Sequence, residues 1–288
     1  MNHSKHTLFN QFTLLLVVIC SIVAISFCAM FFYIDRYSLQ ASSEITSNLH
    51  DQTLLRIKEY YKEIENQAYT ICYSPTLQEY IQTDNIQSRI SSFAKIRSVH
   101  SGIYLSLNGL MGIAAYDTNG CYLNLSMENL FPVESLPEQW ANINNYTYTG
   151  FFEAGSSFCA SRDCFAFLAP VYELLPYSRL LGKRIGTIVL TFNTDHLNSI
   201  VKSNASIHSH LILTDADGQL ICASSNEAVS YYQKKGWTTK SPAFQLESVL
   251  SKSNWHLYSF MPHGFLQKGI QPLIIIVICT GCIFLFLL

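Results

Sequence analysis

The sequence is poor in charge, in glycine and in proline. Charged side chains make up 13% of the 288 residues, and the net charge is −2. No Lys- or Arg-rich run is present, so the chain offers no electrostatic surface for nucleic acid. The 13 Gly and 8 Pro stand against 17 Tyr and 18 Phe, which excludes a collagen-like or disordered chain. The composition predicts a folded protein with no nucleic-acid partner.

The sequence also lacks the common catalytic motifs. There is no G-x-S-x-G, no H-E-x-x-H and no phosphate-binding glycine loop. His208 and His210 would share one face of a strand, but no third zinc ligand is evident. We therefore expect no metal, no cofactor and no enzymatic activity from the chain as it stands. An extracytoplasmic enzyme stays an alternative, and any hydrolytic activity of the purified protein would support it.

Two uncharged apolar runs are present instead, at residues 12–34 and 270–288. About 20 helical residues cross the roughly 30 Å hydrocarbon core, so each run predicts a transmembrane helix. A cleaved signal peptide is the alternative for the first run. That run, however, exceeds the usual apolar length of about 7 to 15 residues, and no small-x-small cleavage site follows it.

The tail, residues 1–11, carries Lys5 and no acidic residue, which favours a cytoplasmic N-terminus. The middle of the chain is then extracytoplasmic, and we expect a two-pass protein of a bacterial cell membrane. Nothing follows the second run. We expect either a truncated form of a longer protein or a complete two-span receptor that signals through a separate partner.

The middle segment changes character along its length. Residues 35–71 lack Pro and Gly and carry apolar residues at helical spacing, which predicts a long stalk helix. Short apolar and aromatic runs then predict strands at residues 102–107, 112–116, 121–125, 164–172 and 186–192.

A short internal sequence repeat suggests a duplicated unit. Asp117 and Gly120 recur as Asp215 and Gly218, 98 residues later, each pair between apolar runs. An Asp that opens a turn and a Gly that closes it in a left-handed conformation predict a tight β-hairpin.

The chain resembles the double-Cache sensory region of bacterial transmembrane receptors. The resemblance rests on the order of elements, the paired hairpins, the passage Gly186-Thr-Ile-Val-Leu-Thr-Phe-Asn-Thr-Asp195 and the closing Trp255-His-Leu-Tyr. More narrowly, the chain resembles the input half of two-component sensor histidine kinases, without the HAMP linker and kinase domain. The resemblance implies an α+β fold of two PAS-like Cache units, each an antiparallel sheet flanked by helices. It implies a membrane-distal unit at 72–193 and a membrane-proximal unit at 194–268, on the stalk helix and between the two membrane helices.

The function that the resemblance implies is an extracytoplasmic ligand-sensing input module that works as a homodimer. Its output in the full-length form would be a sensor histidine kinase. The same input regions also serve chemoreceptors and membrane-tethered transcription regulators. The alternative from a different functional class is a two-span surface or envelope protein that binds a protein partner without signalling.

In that family the distal unit commonly holds the ligand, which points to an aromatic group there. Tyr and Trp offer an apolar face with a polar tip, which suits a sugar or another small solute. We expect about half of the group to be core; its members are Tyr116, Trp140, Tyr146, Tyr148 and Phe152. The motif of the amino-acid-binding subset is missing, because Arg97 is followed by Ser-Val-His and Trp140 by Ala-Asn. We therefore do not assign an amino-acid ligand on the strength of the resemblance.

Cys159 and Cys164 enclose four residues, which suits a hairpin loop closed by a disulfide in an extracytoplasmic setting. Five cysteines lie outside the apolar runs, an odd number, so at least one stays free or pairs between chains.

Overall fold

The computed structural model describes residues 3–83, 85–118, 122–124, 136–155, 162–174, 178–206, 209–235 and 244–261. These ranges contain the helices α1 His3–Cys72, α2 Pro75–Gln82, α3 Ile86–Ser106, α4 Glu138–Ala141, α5 Asp195–Ser203 and α6 Asn226–Lys235. They contain the strands β1 Leu110–Asp117, β2 Tyr122–Asn124, β3 Thr147–Tyr148, β4 Cys164–Tyr172, β5 Arg184–Asn193, β6 His210–Thr214, β7 Leu220–Ala223, β8 Phe244–Leu250 and β9 Trp255–Met261.

The strands form two antiparallel sheets. The first sheet has the order β2-β1-β5-β4-β3, and the second has the order β7-β6-β9-β8. Helix α5 connects β5 of the first sheet to β6 of the second. The predicted α+β class, with two antiparallel sheets and a long N-terminal helix, is confirmed.

The first part of α1 is long and apolar enough to cross a membrane, and none of its apolar window is buried within the described chain. Leu14, Ile22 and Phe32 are all exposed. A helix that presents apolar side chains all round is suited to lipid. The second predicted span, residues 270–288, lies outside the described residues.

The second part of α1 is the central packing element of both sheets. Its buried positions recur every three or four residues, which is the spacing of one helix face; they are Ile57, Tyr60, Tyr61, Ile64, Ala68 and Ile71. The ring of Tyr61 stacks on Tyr148 of β3 with 4.2 Å between centroids, and it meets Trp255 of β9 edge-on at 6.0 Å. One apolar core therefore includes α1 and residues of both sheets.

The strand predicted at 102–107 is wrong, because these residues form the end of helix α3. A short apolar run does not distinguish a strand from a buried helical turn by periodicity alone. Leu107 follows the end of the helix and packs into the core, with 2% of its surface exposed.

The two aspartates of the internal sequence repeat, Asp117 and Asp215, have different surroundings. Asp215 Oδ1 accepts hydrogen bonds from the backbone N–H groups of Asp217 at 3.0 Å and Gln219 at 2.8 Å, in the turn between β6 and β7. Gly218 closes this turn with φ of +80°. Asp117 instead lies 3.6 Å from Arg89 of α3 in an ion pair. Strands β1 and β2 pair next to it, and Gly120 lies outside the described residues.

Candidate ligand-binding face

The five-stranded sheet has two faces of different character. The face towards α1 carries large aromatic side chains, among them Phe165, Phe167 and Phe192. The opposite face, called the outer face below, carries smaller side chains from β1, β4 and β5: Met111, Ala114, Tyr116, Cys164, Ala166, Leu168 and Val189. Trp140 of α4 and Phe152 pack on the outer face, with 6.0 Å between their ring centroids.

A row of small residues crosses the outer face. Thr191 of β5 pairs with Gly112 of β1 on one side and with Ala166 of β4 on the other. Thr191 is 1% exposed, and its hydroxyl is buried without a hydrogen-bond partner among the described residues. Leaving a buried hydroxyl unpaired costs about 1–3 kcal/mol, so an unpaired group of this kind calls for an explanation. The row therefore combines small side chains with a buried hydroxyl that has no partner among the described residues.

The structure divides the five predicted aromatic residues between the two faces. Tyr116, Trp140 and Phe152 belong to the outer face. Tyr148 faces α1, stacks on Tyr61 and donates its hydroxyl to the Tyr61 carbonyl at 3.2 Å. Burial raises its pKa far above that of an ordinary phenol. Tyr148 is therefore a core residue.

Tyr146 also lies on the α1 side, with its ring 5.6 Å from Phe167. The Tyr146 side chain is 40% exposed, and burial of its remaining surface raises its pKa to about 12. The five aromatic residues thus do not line one site. The sequence reasoning missed Thr191, although a threonine on the same strand face as Val189, inside the apolar strand β5, was a usable signal.

Cys164 begins β4 on the outer face and is disulfide-bonded. Cys159 lies outside the described residues, so the pairing of these two cysteines stays a prediction. Among the described residues, Cys72 and Cys222 are buried free thiols. Burial raises the pKa of Cys72 to about 12, which keeps this thiol protonated and unreactive.

A concavity of about 390 Å³ lies between α1 and α5, away from the outer face. Arg56 Nη1 donates to the Ser203 hydroxyl at 3.0 Å across it. The His196 ring lies 4.5 Å from the Tyr60 ring, and burial lowers the pKa of His196. Among the described residues, no cluster of three or more His, Cys, Asp or Glu side chains is placed to hold a metal ion. This concavity is a charged surface groove at the junction of the two sheets.

No protein-family model and no curated protein matches the sequence. Solved structures do match, at low identity. The sensory domain of the Campylobacter jejuni chemoreceptor Tlp3 is 10% identical, with a TM-score of 0.54 over 82% of this chain and 98% of that one. A domain of a putative sensory box/GGDEF family protein from Vibrio parahaemolyticus is 12% identical, with a TM-score of 0.54 over 80% and 99%.

The ligand-binding domain of the Pseudomonas aeruginosa amino acid chemoreceptor PctC, in complex with GABA, is 12% identical, with a TM-score of 0.50 over 76% of this chain and 99% of that one. At these identities the likeness concerns the fold. The described part of this chain has the fold of bacterial receptor sensory domains.

Proposed function

We propose that this chain is the extracytoplasmic ligand-sensing input region of a bacterial transmembrane signalling receptor. The observation that carries the proposal is the outer face of the five-stranded sheet, where the unpaired Thr191 hydroxyl lies in a row of small residues. Trp140 and Phe152 supply aromatic surface beside it. Small-molecule sites are lined mostly by apolar and aromatic side chains with a few polar groups, which is the composition of this face. The shared fold with sensory domains supports the same conclusion.

The charge distribution supports an uncharged ligand, such as a sugar or another small neutral solute. The described residues of β1, β4 and β5 on the outer face between Gly112 and Thr191 are apolar or carry a hydroxyl. The segment 118–161, which includes α4 and β3, contains no Lys, Arg or His. The next basic residue, Arg162, is paired with Asp195 at 3.3 Å. Arg184 donates at 2.9 Å to the carbonyl of Ile143, which packs on the outer face. Both of these guanidinium groups thus already have partners, so a carboxylate ligand would have to compete for them.

The test is thermal unfolding of the full chain in nanodiscs, with glucose, galactose and inositol as probes and with L-valine and GABA for comparison. A ligand at one hundred times its Kd stabilises by about 2.7 kcal/mol, which raises the Tm by about 5–10 °C. We expect a neutral solute to do this and Thr191→Val to weaken its binding by about 2- to 10-fold, since one hydrogen bond is lost.

Thr147→Val is the matched control, because Thr147 is exposed in β3, the edge strand of the same sheet. Its binding should equal that of the unmodified chain. Stabilisation by valine or GABA alone would overturn the neutral-ligand assignment. No stabilisation by any solute, together with a stable copurifying protein, would favour the surface protein that binds a partner without signalling.

The finer assignments are part of the same proposal. We place the membrane helices at 12–34 and 270–288, the distal unit at 72–193 and the proximal unit at 194–268, in a homodimer. The structural neighbours belong to chemoreceptors and to a GGDEF family protein, so this fold serves more than one output. The sequence resemblance favours a sensor histidine kinase. Mass spectrometry of the native polypeptide tests this, because peptides of a chemoreceptor signalling domain in the same chain would contradict it.

A further inference from the structure

The face of α1 that precedes its apolar core positions is buried but polar. Ser42, Thr46, His50 and Thr53 are spaced by three or four residues, and each is at most 8% exposed. Helix α1 packs against β8 and β9 of the four-stranded sheet. Polar contacts release less free energy on burial than apolar ones, so this part of the helix is held less firmly than the part around Ile57 and Ile64.

His50 is the centre of this polar interface and is 2% exposed. Its Nδ1 lies 2.7 Å from the hydroxyl of Ser259 on β9, and its Nε2 lies 2.8 Å from the hydroxyl of Ser248 on β8. Both ring nitrogens thus contact hydroxyls of adjacent strands. A neutral ring satisfies both contacts, with one nitrogen donating and the other accepting. The histidine fastens α1 to both strands at once.

The surroundings offer little to balance a positive charge on this ring. On α1, the carboxylate of the neighbouring Asp51 acts on His50, but Asp51 is exposed. On β8 and β9, the alternation of side chains directs Glu247 and His256 to the opposite face of the sheet, where they pair at 2.8 Å.

The remaining neighbours are neutral. The strand residues that contact the ring are the two serines, and Thr53 on α1 accepts a hydrogen bond from Asn204 at 3.1 Å. A protonated His50 would be a buried cation between hydroxyls, which is unfavourable without a partner charge.

We propose that His50 gives this chain a second sensing function, the detection of acid, in which the ligand is a proton. Protonation of the ring weakens the docking of α1 on β8 and β9. Helix α1 leads back to the first apolar run, and β9 precedes the second along the chain, so this contact joins the two segments that lead to the membrane. The response is separate from solute binding at the outer face, and it does not require that function.

The direction follows from burial, which lowers the pKa of His50 in the docked state. The undocked ring, with an ordinary pKa of about 6.5, binds protons more readily, so docking is strongest above that pH and is lost as the pH falls below it. Between pH 7.5 and 5.5, the docking equilibrium falls by at most about tenfold, which is the limit for a docked ring that stays neutral.

The experiment is hydrogen exchange of the full chain in nanodiscs at pH 7.5 and 5.5, without added solute. Protection factors of the amides in residues 44–53 are corrected for the intrinsic effect of pH. We expect them to fall several-fold, up to about tenfold, in the unmodified chain and by less than twofold in His50→Gln. His256→Gln is the control on the opposite face and should keep the full response.

An unchanged protection factor in the unmodified chain would overturn the proposal. So would an equal loss in His50→Gln, or a loss abolished by His256→Gln. If His50→Gln does not fold, an NMR titration of the His50 ring in the unmodified chain decides the question. A ring that titrates clearly below 6.5 supports the proposal, and one that titrates at or above 6.5 overturns it.

Discussion

Removal of the Tyr61 ring should destabilise both sheets together. The ring is 3% exposed, stacks on Tyr148 of the five-stranded sheet and meets Trp255 of the four-stranded sheet. Truncation of a buried aromatic residue to alanine costs about 3–5 kcal/mol, because the lost contacts leave a cavity. For a folded region of this size, 1 kcal/mol corresponds to about 2–4 °C in Tm. Tyr61→Ala should therefore lower the Tm by about 6–20 °C.

Tyr61→Phe separates the ring from its hydroxyl. This variant keeps both aromatic contacts and removes only the hydrogen bond to Ser253, at 2.9 Å. One such bond contributes about 1 kcal/mol, so the Tm should fall by about 2–4 °C. The assay is circular dichroism of the full chain in nanodiscs during heating, with intrinsic fluorescence to follow Trp140 and Trp255, which pack on different sheets.

Tyr69→Ala is the matched control on the same helix, since Tyr69 is 54% exposed and its ring contacts Tyr73 of the same segment. Its Tm should change by less than about 2 °C. The reasoning would be refuted if Tyr61→Ala lowered the Tm no more than Tyr69→Ala. It would also be refuted if the two sheets unfolded at separate temperatures in the unmodified chain, because one shared core predicts one transition.

Two further stability predictions use the same assay. Gly186→Ala should destabilise the protein by about 1–3 kcal/mol, because the new Cβ would overlap the Tyr116 carbonyl oxygen of the neighbouring strand. Gly102→Ala should instead stabilise α3 by about 0.5–1 kcal/mol, because no atom lies within 4 Å of the position of its new Cβ. Equal effects would contradict the close approach of β1 and β5. Asp215→Ala should destabilise by about 1.5–3 kcal/mol, because two backbone donors of the turn lose a charged acceptor. A neutral result would show that water replaces that acceptor.

The elements that were predictable from the sequence have a strong local signal. The apolar core positions of α1 from Ile57 to Ile71 recur at helical spacing, and the β6–β7 turn contains both the aspartate and the glycine that its geometry requires. The end of α3 shows the opposite case. Residues 102–107 are as apolar as a strand, yet residues 102–106 continue the helical turns that precede them.

The candidate site was harder to predict than the fold. The family resemblance pointed to aromatic residues of the distal unit as ligand contacts, but not to the face of the sheet that each would join. Tyr148 became core because β3 places it against Tyr61, which lies 87 residues earlier in the chain. Thr191 became a candidate because its partners in β1 and β4 are the small residues Gly112 and Ala166. Neither pairing has a local signature in the sequence.

The sequence by itself determined the class of the chain: an apolar N-terminal helix, a β-rich region without catalytic motifs and a turn at Asp215. These features depend on residues close together in the chain, where spacing and side-chain type control the outcome. The tertiary structure alone decided that α1 joins both sheets and that His50 lies between Ser248 and Ser259. It also decided that the Thr191 hydroxyl has no partner among the described residues. Contacts between residues about 200 positions apart depend on strand register and packing, which local pattern does not encode.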